Sequence, residues 1–293
     1  MRFLLCVGGV EPSVETVRFG ARIARAFEAD LSVLYVQPRV PHAVREEMRL
    51  AREKLEEWEI ELPGVKVLKA AQKILLQEGS VRTGPSGEAV VRHAMKPGVR
   101  GAYELHIYGI HGENLRFRLR EGDIVSEINK EVESDQLDLV IFGASQQRHI
   151  LQKLVHFIDC SILVAKNPKD VKYTFLICTD NSPTSRRAEL FGAKLARFVN
   201  SPVQLLSVAK FKTREHMAME CAERASNSLT KAGVAHSTIV RIGNVVDEIA
   251  ALAREDTLVV MGTSRMPAWK KLIFGSKPLQ VVERVPCPVL IVM

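Results

Sequence analysis

The apolar positions of this chain fall into short runs separated by segments of helical spacing. Residues 4–7, 31–36, 139–142 and 162–165 are largely apolar runs of strand length, and so are 176–179, 203–208, 258–261 and 289–292. Such runs suit strands of a parallel sheet that is covered on both faces. Between them, Phe19, Ile23 and Phe27 recur every four residues, as do Phe191, Leu195 and Val199, which traces one stripe along a helix. The same reading expects helices over residues 41–58, 124–134, 213–232, 245–254 and 279–285, and strands near 115–119 and 238–242. Strands alternating with helices imply right-handed crossovers and an α/β fold with a doubly wound parallel sheet.

The pattern occurs twice. Phe3-Leu4-Leu5-Cys6 matches Phe175-Leu176-Ile177-Cys178, and Phe19-Gly20-Ala21 matches Phe191-Gly192-Ala193, both at a spacing of 172 residues. Gly122-Asp123-Ile124-Val125 matches Gly243-Asn244-Val245-Val246 at a spacing of 121. Ile141-Phe142-Gly143 matches Val260-Met261-Gly262 at 119, and Cys160-Ser161-Ile162-Leu163-Val164 matches Cys287-Pro288-Val289-Leu290-Ile291 at 127. Blocks repeated in the same order mean duplication. Two tandem five-stranded domains are expected, at residues 1–168 and 169–293, joined at Asn167-Pro168-Lys169-Asp170. Each copy ends in an apolar strand with no later element to cover its edge. The strands at 162–165 and 289–292 are therefore expected to meet edge to edge.

The changing spacing locates where the copies differ. The first carries about 51 extra residues before its third strand, a β-rich insertion at about 65–114. Within it, 102–110 alternates like a strand, and so does the following 115–120. There Leu115, Phe117 and Leu119 face one way and Arg116, Arg118 and Arg120 the other. The arginine stripe reads as a solvated face. The apolar stripe calls for cover, and a second copy of the chain would supply it, so a homodimer is expected. The first copy also lacks 8 residues just after Gly143.

Composition changes little in this picture. With 46% hydrophobic and 26% charged residues the chain is ordinary for a globular protein. No apolar run reaches the roughly 18–20 residues of a membrane span, and residues 1–7 read as a strand rather than a leader, so a cytoplasmic location is expected. A net charge of +7 permits an anionic partner, but no nucleic-acid recognition motif accompanies it. The five cysteines include no C-x-x-C pair. Four are repeat-equivalent and lie in or beside apolar strands, so small buried hydrophobes are expected. His106 and His111 are not at a metal-binding spacing and read as surface histidines.

In an open parallel sheet, ligands bind beyond the carboxyl ends of the strands, at the switch in strand order. There the second copy is polar: Asp180-Asn181-Ser182-Pro183 after its first strand, Gly262-Thr263-Ser264-Arg265 after its fourth, then Gly275-Ser276 before a helix. Glycine allows close backbone approach to an anion. A helix start offers free N–H groups and a positive dipole end. Arg265, Lys270, Lys271 and Lys277 raise the local potential.

These residues resemble the ATP-binding branch of the universal stress protein family, whose members carry an Asp at the end of strand one and Gly-x2-Gly-x9-Gly-Ser/Thr after strand four. This chain has Asp180 and Gly262-x2-Arg265-x9-Gly275-Ser276. The resemblance covers the chain apart from the insertion. It implies a Rossmann-like, adenine nucleotide alpha hydrolase-like fold and an adenine nucleotide ligand, ATP or AMP, with Mg²⁺ if ATP. It also implies that Asp180 faces the adenine or ribose, Val208 offers backbone contacts to adenine, Met261 flanks the nucleotide, and Gly262, Gly275 and Ser276 meet the phosphates. Arg265 replaces the family's second glycine and either clasps the phosphates or obstructs them. The first copy has Gly8 in place of the aspartate and lacks the Gly-Ser loop, so it is expected to be a structural partner.

No general base, nucleophile–histidine pair or metal cluster is legible near this site. The leading expectation is a non-catalytic stress protein that binds an adenine nucleotide in its second copy and acts through a protein partner the sequence does not identify. A nucleotide-free scaffold acting by protein–protein interaction is the alternative. An ATP-hydrolysing or adenylating enzyme comes third, because Gly8-Gly9 lacks the rest of a pyrophosphatase loop.

Overall fold

The computed structural model describes residues 1–38, 63–97, 103–110, 113–143, 148–263 and 277–293. It divides into two compact units, Met1–Leu137 and Asp138–Met293. This boundary differs from the repeat junction at 168/169. β6 (Leu139–Gly143), α4 (Arg148–Phe157) and β7 (Ser161–Ala165) belong to the first copy by repeat but to the second unit by packing.

The first unit runs β1 (Arg2–Val7), α1 (Val14–Ala26), β2 (Asp30–Gln37), α2 (Pro63–Gln77), β3 (Val91–Pro97), β4 (Tyr103–Tyr108), β5 (Asn114–Glu121) and α3 (Ile124–Asp135). Its strands are ordered β1-β2-β5-β4-β3. β1, β2 and β5 are parallel, while β4 and β3 add antiparallel at the edge.

The second unit adds β8 (Thr174–Thr179), α5 (Pro183–Phe198), β9 (Val203–Ala209), α6 (Glu215–Lys231), β10 (His236–Ile242), α7 (Val245–Leu252), β11 (Thr257–Gly262), α8 (Lys277–Arg284) and β12 (Val289–Val292). The order here is β10-β9-β8-β11-β12-β7-β6. All neighbours are parallel except β12 and β7, where Leu290 faces Leu163 and Ile291 faces Ile162 antiparallel. This is the expected edge-to-edge meeting of the two final strands. It explains why β6 and β7 pack with the second unit. Among the described residues no helix is long and apolar enough to cross a membrane.

Strand register makes the duplication exact at the level of hydrogen bonding. Val7 pairs with Tyr35 as Thr179 pairs with Ser207. Gln37 pairs with Glu121 as Ala209 pairs with Ile242. Ile141 pairs with Leu163 as Val260 pairs with Leu290. Matching side-chain caps start the later helices: Asp123 accepts from the Ser126 N–H at 3.0 Å, and Asn244 accepts from the Val246 N–H at 2.9 Å, each satisfying an otherwise unpaired donor. The mid-helix glycines also have a reason. A Cβ on Gly20 would lie 3.0 Å from a Leu5 methyl, and one on Gly192 would lie 2.7 Å from the Ile177 Cδ1. Both helices lie close on the sheet, which offsets the ~1 kcal/mol that glycine costs a helix.

The insertion differs from the expectation in two ways. Its beginning is helical: Val67, Leu68, Ala71, Ile74 and Leu75 are all buried at helical spacing. This helix, α2, packs on β2, β5 and α1, the place expected for residues 41–58, which lie outside the described residues together with His111. The β character is confined to β3, β4 and the bridges at Val81 and Thr83. Leu115, Phe117 and Leu119 are 3%, 1% and 0% exposed. Because their own unit covers them, the apolar stripe gives no reason for a second chain.

The arginine stripe is not a solvated face either. Acidic residues of α3 and β4 cover it. Arg118 donates to Asp135 at 2.6 Å and to Glu104 at 2.9 Å and is ion-paired with Glu131. Arg120 donates to Glu131 at 2.6 Å, and Arg116 lies 3.3 Å from Asp135. Burial works against the Arg118 charge, but the surrounding carboxylates outweigh it and raise the guanidinium pKa further above its ordinary value. His106 contacts Glu104 at 3.0 Å at the border of this cluster.

Candidate functional site

In the second unit the connection after β8 runs to β9 on one side, while β11, reached later, lies on the other. The strand order therefore switches at β8, and a crevice opens beyond the carboxyl ends of β9, β8 and β11. It holds a cavity of about 340 Å³, within the usual range of small-ligand sites.

Five of the residues singled out from sequence line this cavity: Asp180, Val208, Met261, Gly262 and Lys277. Arg265, Gly275 and Ser276 lie outside the described residues, as do Lys270 and Lys271. Asp180 directly follows β8 and is locked by its turn. Its Oδ1 accepts from the Ser182 N–H at 3.0 Å, and Asn181 adopts the left-handed conformation at φ 63°, which asparagine tolerates. Ser182 caps α5, accepting from the Ser185 N–H at 3.2 Å, and Pro183 opens the helix. Burial pushes the Asp180 carboxyl up. Hydrogen bonds from Ser182 and Ser185, with the nearby Lys277 ammonium, outweigh it and hold the group below the usual carboxylate range. The cavity thus presents a fixed, ionised acceptor.

Gly262 has a packing reason as well as a position on the wall. A Cβ there would lie 2.5 Å from the Thr184 carbonyl carbon and 2.6 Å from the Ser185 nitrogen. Both are backbone atoms that cannot swing aside. The Thr184 hydroxyl donates to the Thr263 carbonyl at 2.6 Å, tying the start of α5 to the end of β11.

Beneath the mouth, buried Thr179 donates to Glu189 at 2.5 Å, and Arg224 meets the same carboxylate at 2.5 Å. This pair holds α5, α6 and the end of β8 together. Cys178 and Cys221 also line the cavity. Burial, helped by Asp180, pushes the Cys178 thiol to about 12, so it is protonated at neutral pH. Cys160 and Cys287 are buried as expected, while Cys6, Cys178 and Cys221 are half-buried; all five are free. Among the described residues no cluster of three or more His, Cys, Asp or Glu could hold a metal ion.

Sequence reasoning missed one wall. Lys210 follows β9, Arg214 ends a single 3₁₀ turn at Lys212–Arg214, and Met217 and Cys221 face in from α6. Applying the strand-end rule to β9 would have found Lys210. Arg214 depends on the 3₁₀ turn, which no residue pattern announces.

The corresponding strand ends of the first unit differ. Tyr35 and Gln37 stand where the second copy has Ser207 and Ala209. A Cβ on Gly64, in the first turn of α2, would lie 3.0 Å from Gln37 Oε1 and 3.1 Å from Tyr35. Gln37 donates to Glu121 at 2.8 Å. At the end of β2, Tyr35 and Gln37 thus pack against the start of α2.

Residues 173–293 match the sequence model of the Universal stress protein family. No curated protein matches the chain. Among solved structures, a universal stress protein from Archaeoglobus fulgidus DSM 4304 superposes with a TM-score of 0.62 at 15% identity, over 99% of this chain and 95% of that one. A protein of unknown function from Pseudomonas aeruginosa PAO1 gives 0.58 at 14% identity, over 99% and 92%. At these identities the likeness is one of fold, and it extends through both copies.

Proposed function

We propose, from the premise that residues 173–293 are a universal stress protein domain, that this domain binds an adenine nucleotide. The observation that carries the reading is the cavity at the β8 switch, where Asp180, Val208, Met261 and Gly262 meet in one space beside Lys210, Arg214 and Lys277. A fixed carboxylate for the purine or ribose, an apolar wall and a cationic rim together suit a nucleoside phosphate. ATP and AMP are the ligands the sequence motif points to, with Mg²⁺ accompanying ATP. Gly275 and Ser276 are proposed, from the motif alone, to meet the phosphates.

The role we propose is regulatory binding in a stress response, in the cytoplasm, with association of two chains and with a protein partner, rather than catalysis. The residues on the cavity wall support this: Asp180 is held ionised by its own turn and both thiols are pushed toward the protonated form, by burial first. The scaffold reading suits the first copy, which has Gly8 in place of the aspartate and lacks the Gly-Ser loop.

Isothermal titration of the full chain with ATP, ADP and AMP, with and without Mg²⁺, tests the proposal. Saturable binding of at least one nucleotide is expected, and none would overturn it. Ser276→Ala should weaken binding roughly 10- to 150-fold, since a hydrogen bond to a charged group contributes about 1.5–3 kcal/mol. Arg265→Gly restores the family pattern and reads the sign of the arginine: tighter binding means it obstructs, weaker binding means it clasps.

A further inference from the structure

The cations of this cavity are not gathered at one end. Lys277 opens α8, on the β11 side. Lys210 and Arg214 stand past the end of β9. With β8 between them, β9 and β11 lie about 9–10 Å apart, two steps of the sheet spacing. The cavity wall carries apolar side chains, Leu206, Val208, Met217, Ile249 and Met261, together with the polar Thr179, Asp180 and Ser207.

Among the described residues no carboxylate pairs with the β9-side charges. Their neighbour Lys212 is ion-paired with Glu215. The buried Glu189 is occupied by Arg224. Lys210, exposed, lies over the Phe211 ring at 5.1 Å, and neither it nor the exposed Arg214 has an ion pair among the described residues. Asp180 is the carboxylate on the cavity wall, and it sits with Lys277. One phosphate group answers only one of these two sets of cations.

We infer that the cavity takes a nucleotide with phosphate at two separated positions of the nucleoside, one met by Lys277 and the other by Lys210 and Arg214. The inference rests on the nucleotide reading above and narrows its ligand class. Lys210 and Arg214 are then the residues that choose between a mono- and a bisphosphorylated nucleoside. Arg214 offers the forked donor geometry that suits phosphate.

Titration of the full chain with AMP and with adenosine 3′,5′-bisphosphate tests this. The bisphosphate should bind about tenfold more tightly or better, the scale of one charge-assisted contact. Lys210→Gln with Arg214→Gln should collapse that ratio toward one, whereas Lys277→Gln should weaken both ligands. Equal binding of the two ligands, or a preference that survives the double substitution, would overturn the inference while leaving the nucleotide site standing. Absence of binding by either ligand would remove both.

Discussion

The two copies share register residue for residue yet use their polar residues in opposite ways. In the first, the arginines on β5 are spent internally: Arg118, 5% exposed, is enclosed by Glu104, Glu131 and Asp135. At the end of β2, Tyr35 and Gln37 pack against the start of α2. In the second, the β10 positions equivalent to Arg116 and Arg118 are Ser237 and Ile239, and they bear no charge. Its cations stand instead around an open cavity, next to one fixed carboxylate. Duplication supplied two identical frames, and substitution at the strand ends made one structural and left the other open. Charge committed to a buried network stabilises the fold; charge left at a cavity rim is available to a ligand.

The largest effect is expected where charge is committed. Arg118→Ala leaves Glu131 and Asp135 facing each other with their main cation gone. Removing one partner of a buried pair typically costs about 3–5 kcal/mol, to be read as a lowered denaturation midpoint. The same network adds an acid dependence. Burial pushes the Glu104 carboxyl up, but Arg118 outweighs it and holds the folded pKa below the ordinary value. A depressed carboxylate stabilises the fold above its unfolded pKa, about 4.3, and that contribution is lost as pH falls through the folded value. Arg118→Ala should flatten this acid limb. An unchanged midpoint would show that the stripe is not structural.

Next comes the glycine that the second copy shares with its family motif. Gly262→Ala puts a methyl 2.5 Å from backbone carbon. Overpacking typically costs about 1–3 kcal/mol, and this neighbour cannot move aside. Gly192→Ala is the contrast. Its obstacle is the flexible end of Ile177, and a gain of ~1 kcal/mol in helix propensity offsets part of the clash, so a smaller change is expected. Equal melting midpoints for the two variants would mean that Gly262 serves only a ligand.

The frame was legible in sequence because duplication doubled every signal. Strand ends, helix stripes and the edge-to-edge meeting of β7 with β12 all follow from blocks that recur in the same order. Asp180 and Gly262 were legible because the strand-end rule points to them and the motif marks both, while Val208 and Met261 came with the family resemblance. The rest depended on tertiary packing. Arg116, Arg118 and Arg120 alternate as a solvated face would, and only the approach of Glu131 and Asp135 makes the face buried. Residues 63–77 carry a helical stripe, Val67 through Leu75, that the turn signals and strand-like runs farther along the insertion obscured. Lys210 and Arg214 carry no periodicity, and only the 3₁₀ turn brings Arg214 to the cavity.

The central claim is that one copy binds and the other does not. Equilibrium dialysis of the full chain against radiolabelled AMP or ATP counts sites directly. One nucleotide per chain is predicted, lost together by Asp180→Ala and Ser276→Ala in the same chain and unaffected by Gln37→Ala in the first copy. Two nucleotides per chain, or one that survives the double substitution, would contradict the account.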